Sequence, residues 1–343
     1  MVTGNRNTAD LQIVTGVLNR LLKLNHEREN TMKGPLPENG QLFHYTTAEG
    51  LKGIVEHNEL WASSAYFLND SSEIMYGYGV LKEVLEDWIK SCGRDEYSMA
   101  LGFARDLLRG FGHDLLNKNI IDPIYLACFC EGGNLLSQWR AYGQTGGYSL
   151  AFNFFPFDAS RILRPEPVTY TSRLIKVEYD RLKQLERCRV ILREVLPIFD
   201  DSSIAHAIRE VSSAGNPNRG FYEIRRVIGE MLMEEALAFK DKAFEDEREW
   251  RLVVRRRELW KQGTDDGGRA LPLIHFRLAR GLLIPYIRLI PAGGGAKIPL
   301  AFVRSGPMID GLLAFLSLRP FLDGNGFSDA GTKESGIPAR SLG

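Results

Sequence analysis

The sequence has few cysteines, no excess of charge of either sign and no long apolar run. Its four cysteines among 343 residues are too few and too irregularly spaced for a disulfide framework or a zinc site, which favours reduced thiols. Lysine plus arginine total 43 and aspartate plus glutamate total 43, so no global field attracts nucleic acid or an anionic membrane. These absences predict a globular protein of the cytoplasm.

Several motifs are also missing. The chain has no Walker loop, no three-glycine dinucleotide fingerprint and no GxSxG elbow. The N-terminus MVTGNRNTAD lacks the apolar core of a signal peptide. The apolar segment 281–291 contains Pro285 and Arg288 and is about half the ~20 residues that a spanning helix needs. We therefore predict neither secretion nor a membrane span, and Cys128 and Cys130 have no partners with metal-ligand spacing.

Apolar periodicity predicts an α+β protein in which small antiparallel or mixed sheets are segregated from the helices. QLFHYTT is predicted as a strand that leads into a helix from Ala48 to about His57. We predict an N-terminal helix and linker over 1–40, a single α+β domain over 41–322 and a disordered tail, rich in Gly, Ser and Asp, over 323–343.

Four segments together resemble an uncharacterised bacterial family, domain of unknown function 2971. They are LFHYTTAEGLKGIVEHNELWASSAYFLND, ACFCEGGNLLSQWRAYGQTGGYSLAF, FEDEREWRLV and VRSGP. Their order and spacing carry this resemblance. More distantly, the chain resembles the ADP-ribosyltransferase superfamily, in which a first strand ends in His-x-Thr or a similar motif and an acidic residue lies on a late strand. That resemblance implies a fold that binds NAD between two small antiparallel sheets.

The second resemblance implies two catalytic residues. His44 would hold the adenosine ribose, and Glu249 would bind the 2'-hydroxyl of the nicotinamide ribose. Cleavage of the nicotinamide bond passes through an oxocarbenium-like state, which a carboxylate stabilises. In one continuous strand Glu247, Glu249 and Arg251 share a face, so either glutamate is a candidate. The alternative is that Glu249 and Arg251 form an ordinary salt-bridge ladder and that His44 is structural.

Further residues are predicted to bind the cofactor because they combine hydroxyl, amide, carboxylate, guanidinium and aromatic groups near these segments. Arg140 is the preferred partner of a pyrophosphate. For several of them a structural role is the alternative, such as helix capping at Thr47 or before the 72–91 helix, or core packing at Trp139. The predicted cofactor-binding residues are Tyr45, Thr46, Asn69, Asp70, Arg140, Tyr142 and Arg251.

The sequence therefore predicts an ADP-ribosyltransferase-like protein that cleaves NAD and transfers ADP-ribose to a macromolecule, of the toxin or phage-defence type. Two alternatives stay open: an NAD glycohydrolase that uses the same residues, and a non-catalytic module that binds a ligand or a protein. Nucleic acid is a less favoured partner, since only the arginine cluster over 248–257 would contact it. One structural requirement is clear, because His44 and Glu249 must line the same cleft.

Overall fold

The computed structural model of the chain describes most of its residues. The described ranges are 3–32, 35–67, 71–92, 98–113, 124–142, 146–154, 163–166, 170–213, 219–256, 274–279, 281–293 and 295–338.

Helices and strands both contribute to the fold, which confirms the α+β class. The described helices are α1 (Thr3–Met32), α2 (Ala48–His57), α3 (Ser71–Ser91), α4 (Met99–His113), α5 (Leu136–Tyr142), α6 (Arg181–Val195), α7 (Ser202–Ser213), α8 (Arg219–Leu237) and α9 (Gly311–Gly324). The described strands are β1 (Gln41–Thr47), β2 (Leu60–Ser64), β3 (Tyr125–Cys130), β4 (Gly147–Asn153), β5 (Leu163–Glu166), β6 (Tyr170–Lys176), β7 (Glu249–Arg256), β8 (His275–Ala279), β9 (Leu282–Pro291), β10 (Leu300–Ser305) and β11 (Gly331–Glu334).

The chain divides into two compact units, each assembled from three separate stretches. The first comprises Met1–Lys33, Ser71–Asp122 and Glu178–Lys242, and the second comprises Gly34–Asp70, Pro123–Val177 and Ala243–Gly343. This division differs from the predicted single domain over 41–322, because helices inside that range build a unit of their own. In the part of the chain that the structure describes, no helix is both long and apolar enough to cross a membrane.

The first unit is helical and is built around apolar faces and one buried ion cluster. Leu21 of α1 is fully buried, and Phe103 stacks on Phe199 with ring centroids 4.1 Å apart. Arg28 of α1 pairs with Glu234 at 3.1 Å and with the neighbouring Glu235. Because two buried carboxylates are costly without cations, this contact ties α1 firmly to α8.

The second unit contains an eleven-stranded sheet that forks at β3. β7 pairs with β3 from Tyr125 to Cys130, so β1 and β2 must share the opposite edge of that strand. β2 pairs with Tyr125 and Leu126, whereas β1 pairs with Cys130 through Phe43. Between these contacts the two strands diverge. The strand pairs are antiparallel except for β10 with β11.

The corner between β1 and α2 forms as predicted. β1 covers Gln41–Thr47, and Thr47 caps α2 by accepting a hydrogen bond from the Gly50 N–H at 3.2 Å. The helix ends at Asn58, which adopts the left-handed conformation at φ 54°. The predicted strand and helix are therefore confirmed, and the capping role of Thr47 is the observed one.

The C-terminal segment is ordered beyond Asp323, contrary to prediction. Phe327 and Ala330 are buried in the core, and β11 pairs in parallel with β10. The polar, glycine-rich composition suggested disorder. The burial of these two apolar side chains and the pairing of β11 with β10 stabilise the segment instead. Residues 339–343 lie outside the described part of the chain.

Candidate functional site

His44 lies at the fork of the sheet and is held there by the backbone. Its Nδ1 donates a hydrogen bond to the carbonyl oxygen of Cys128 at 2.9 Å, and its ring lies 5.9 Å from the ring of Phe129. Burial lowers the pKa of His44 below its ordinary value of 6.5, although the bond to Cys128 opposes this shift. The neutral imidazole thus satisfies a carbonyl at the point where β1 and β2 part.

Tyr45 points to the other side of β1 and is structural. Its hydroxyl donates to the carbonyl oxygen of Gly132 at 2.9 Å and accepts from the Leu135 N–H at 2.8 Å. Its ring meets Trp139 edge-on at 4.8 Å, and burial raises the pKa of Tyr45 well above its ordinary value. Tyr45 therefore fixes the loop that leads into α5. Thr46, half-buried, faces Gly50 so closely that a Cβ on that glycine would collide with it.

Glu249 and Arg251 form a buried, doubly bonded ion pair. Arg251 donates from Nε to Glu249 Oε1 at 2.8 Å and from Nη2 to Oε2 at 3.0 Å. The two residues are only 5% and 1% exposed. Both carboxylate oxygens thus accept from the guanidinium, which is the strong geometry for such a pair. The alternative of an ordinary cross-strand salt-bridge ladder on a solvated face is correct in that the two residues are paired, but the pair lies within one strand and is buried.

The structure does not bring His44 and Glu249 together. Phe43, Cys130 and Glu249 lie opposite one another on β1, β3 and β7, so their side chains share one face of the sheet. His44 follows Phe43 and points to the other face, where it contacts Phe129. The predicted cleft lined by both residues is therefore a wrong prediction.

Glu247 is not part of the late strand. Lys242–Glu247 form a 3₁₀ turn, Arg248 adopts a left-handed conformation at φ 43°, and β7 begins at Glu249. The prediction that Glu247 shares a strand face with Glu249 is wrong, since Glu247 ends the 3₁₀ segment and the left-handed Arg248 separates it from the strand. This turn also places the Arg248 carbonyl to accept from the Glu131 N–H at 3.1 Å.

The remaining predicted cofactor residues lie on or beside α5 or outside the described part of the chain. Trp139 is 3% exposed and packs in the core, as its size suggested, whereas Arg140 beside it is exposed. Tyr142, at the end of α5, is 38% exposed. The predicted residues Asn69 and Asp70 lie outside the described residues.

A second cluster lies on the same side of the sheet as Glu249 and Arg251. Leu126 of β3 lies opposite Ser63 of β2 on one edge and opposite Val253 of β7 on the other. Val253 and Arg251 are two residues apart on β7, so Ser63 and Arg251 point to the same side of the sheet. On this side β2, β8 and β9 carry a group of aromatic and charged side chains that we call the aromatic–arginine face. Its members are Glu59, Trp61, Ser63, His275, Arg277, Tyr286 and Arg288.

Three rings form a row across the strands of this face. Trp61 stacks on Tyr286 with centroids 4.4 Å apart and an interplanar angle of 27°, and His275 stacks on Tyr286 at 5.4 Å and 28°. Tyr286 is 9% exposed in the middle of the row, while Trp61 is 38% exposed at its end. Burial raises the pKa of Tyr286, and the Glu59 carboxylate raises it further. The Tyr286 hydroxyl therefore stays protonated at neutral pH.

Glu59 holds two members of the face in position. Its Oε1 accepts from the Trp61 indole N–H at 2.8 Å, and its Oε2 accepts from Arg288 Nε at 2.5 Å. The Glu59 side chain is 5% exposed, whereas that of Arg288 is 34% exposed. Arg277 donates to Ser63 Oγ at 3.2 Å. The arrangement presents an oriented indole and a guanidinium to solvent.

Sequence reasoning did not select this face, although a signal was present. Tyr286 and Arg288 alternate with apolar residues in IPYIRLI, and His275 and Arg277 do so in HFR, which marks one polar face on each strand. The alternation could not predict that β2 and β8 pair with the two edges of β9. In the described residues no group of three or more His, Cys, Asp or Glu side chains is placed to hold a metal ion.

The fold and this face define an α+β protein that carries a polar, aromatic surface on one side of its sheet. Residues 138–252, about a third of the chain, match the family model described as protein of unknown function (DUF2971). This match supports the first resemblance and includes Trp139-Arg140 and the start of β7, but not the His44 segment. No curated protein and no solved structure matched the chain, and the likeness to ADP-ribosyltransferases gained no support.

Proposed function

We propose that this protein binds a nucleotide on the aromatic–arginine face, with the base stacked beside Trp61 and the phosphates at Arg277 and Arg288. The observation that carries the proposal is the row of three stacked rings, which ends in an exposed tryptophan and is flanked by two arginines. Few other ligands need both a flat apolar surface and guanidinium groups at one place.

The chemistry of the face matches the two halves of a nucleotide. Stacking of a base on an aromatic side chain is worth about 1–3 kcal/mol, and the flat surface of Trp61 is available for it. Guanidinium groups bind phosphate oxygens through paired hydrogen bonds. Glu59 fixes Trp61 and Arg288 before the ligand arrives, so little side-chain freedom remains to be lost on binding.

Binding is better supported than cleavage. Both oxygens of Glu249 accept hydrogen bonds from Arg251, and His44 points to the opposite side of the sheet, so this pair is not arranged to attack one substrate. Cleavage of NAD stays a prediction from the sequence. The two activities are separable in one experiment because NAD serves as a probe for both.

The test is calorimetric titration of the full chain with NAD, ADP-ribose and AMP. We expect binding that weakens about 5- to 150-fold in Trp61→Ala, the equivalent of one lost stacking contact. Tyr142→Ala is the matched control, because the two side chains are equally exposed at 38%. Unchanged affinity in Trp61→Ala, or a loss confined to Tyr142→Ala, would contradict the proposal.

The second arm of the experiment follows free nicotinamide in the same samples. We expect binding without release. Release that disappears in Glu249→Gln, while the variant still folds by circular dichroism, would instead favour the cleavage predicted from the sequence.

A further inference from the structure

A groove runs between α9 and β11 at the end of the sheet. Its volume is about 440 Å³, and residues of both elements line it, among them Leu312 and Phe315 of the helix and Thr332 and Glu334 of the strand. Ser305 of β10 contributes to the lining. The groove lies in a different part of the second unit from the aromatic–arginine face, and its argument does not depend on the nucleotide proposal.

The helix wall of the groove is apolar and exposed. Ala314, Leu318 and Leu322 of α9 are buried in the core. The outward side of the same helix carries large apolar residues at 52–67% exposure, which is unusual for a helix in contact with water. These residues are Leu312, Leu313, Phe315 and Leu316, of which Leu312 and Phe315 line the groove.

The strand wall of the groove is a sheet edge. β11 is the end strand of the sheet order, and among the described strands it pairs only with β10. An end strand offers backbone N–H and C=O groups to any extended chain that lies beside it. The carbonyl of Glu334 accepts from Arg304 Nη1 of the neighbouring strand β10 at 3.0 Å.

One end of the groove carries an exposed carboxylate, that of Glu334, whereas the ammonium of Lys333, which also lines the groove, lies over the Phe302 ring at 3.8 Å. The Glu334 carboxylate lies so close to Gly311 that a Cβ at that position would collide with it. Asp310, the preceding residue, caps α9 by accepting from the Leu313 N–H at 2.9 Å. Two carboxylates therefore stand at the N-terminal end of α9, where a basic group of an incoming ligand finds opposite charge.

We propose that an extended peptide segment of a partner protein docks in this groove as an additional strand on β11. An extended backbone matches the open strand edge, and the side chains on one side of such a strand reach the apolar wall at Leu312 and Phe315. A lysine or arginine of the peptide lies near Glu334 and Asp310. The occupant is therefore a peptide that alternates apolar residues and carries a basic residue at one end.

Peptides that bind the full chain are selected from a displayed library of random twelve-residue sequences. Enriched peptides are synthesised with a fluorophore, and their affinities are measured by anisotropy. We expect at least a tenfold loss of affinity in Phe315→Ser. The matched control is Phe276→Ser, since Phe276 of β8 is 59% exposed and Phe315 is 52% exposed. Glu334→Gln is expected to weaken peptides that carry a basic residue and to leave neutral ones unchanged.

Strand addition has its own readout. Alternate amide nitrogens of the peptide are methylated in turn. Methylation of the nitrogens that face β11 is expected to abolish binding, because a methylated nitrogen cannot donate a hydrogen bond to the strand. Absence of enriched peptides, or peptides that bind Phe315→Ser as well as the unmodified chain, would overturn the proposal. A dimer in sedimentation that dissociates in Phe315→Ser would also overturn it, since a second copy would then occupy the groove. Nucleotide affinity is expected to be equal in both phenylalanine variants.

Discussion

Two carboxylate–arginine pairs lie on the same side of the sheet and differ in what they expose. In the pair of Glu249 and Arg251 both side chains are buried, and the guanidinium bonds both carboxylate oxygens. In the pair of Glu59 and Arg288 the carboxylate is buried, but a third of the arginine side chain meets solvent. The Glu59 carboxylate also holds the indole of an exposed tryptophan.

The difference separates stability from function. A buried pair in which the guanidinium bonds both carboxylate oxygens is shielded from a ligand, and removal of one partner takes away the main compensation of the other's buried charge. A pair with a buried anchor and a partly exposed arginine keeps donors oriented toward solvent. Glu249, predicted as catalytic, and Arg251, predicted to bind the cofactor, thus belong to the first kind, and the candidate ligand-binding residues Glu59 and Arg288 belong to the second.

The largest expected effect follows from breaking the buried pair. Glu249→Gln removes the carboxylate that bonds the Arg251 guanidinium twice at 1% exposure, so the free energy of unfolding should fall by about 3–5 kcal/mol. Urea unfolding followed by circular dichroism measures this loss. The double variant Glu249→Leu with Arg251→Met removes both charges and should lose less than the single variant. A single-variant cost below about 1 kcal/mol would show that the pair is not effectively buried.

A smaller effect is expected on the opposite side of the sheet. His44→Ala removes the hydrogen bond from the imidazole to the Cys128 carbonyl at the fork, which should cost about 0.5–1.5 kcal/mol of unfolding free energy. Nucleotide affinity should be unaffected, because His44 points away from the aromatic–arginine face. A loss of nucleotide binding without a loss of stability would mean that His44 contacts the ligand.

The pH dependence of stability gives an independent check on His44. Its pKa is lowered in the folded state, so between that value and 6.5 the unfolded chain binds more protons than the folded chain. The His44 contribution is therefore complete above pH 6.5 and is lost as the pH falls through the folded pKa, at no more than about 1.4 kcal/mol per pH unit. Urea unfolding midpoints of the unmodified chain and of His44→Gln are compared from pH 7 to pH 5, and the difference between the two proteins measures the His44 contribution. An equal pH slope in both proteins would contradict the assignment.

The smallest change in stability is expected in the exposed pair. Glu59→Gln weakens the pair with Arg288, whose side chain is already partly hydrated, so the free energy of unfolding should fall by only about 0.2–1 kcal/mol. Nucleotide affinity should fall by less than in Trp61→Ala, since the indole remains but loses its orientation. Parallel urea and calorimetric measurements compare the two losses. A stability cost as large as that of Glu249→Gln would remove the distinction between the pairs.

Local structure was largely predictable, and the pairing between strands was not. The strand and helix around Thr47 were placed at their observed bounds because capping and apolar periodicity act over a few residues. The C-terminal strand was missed because its stability comes from pairing with β10 rather than from its own composition. The position of Glu247 was missed because nothing in the local pattern marks the left-handed turn at Arg248.

The sequence by itself determined the fold class, the elements near the predicted site and which neighbours on one strand share a face. It also carried the similarity of residues 138–252 to an uncharacterised family. Only the tertiary structure decided that Phe43 lies opposite Cys130, which sends His44 away from Glu249, and that Trp61, Tyr286 and His275 meet. The physical reason is register: strands distant in the chain can pair in several offsets, and a shift of one residue moves every side chain to the other face.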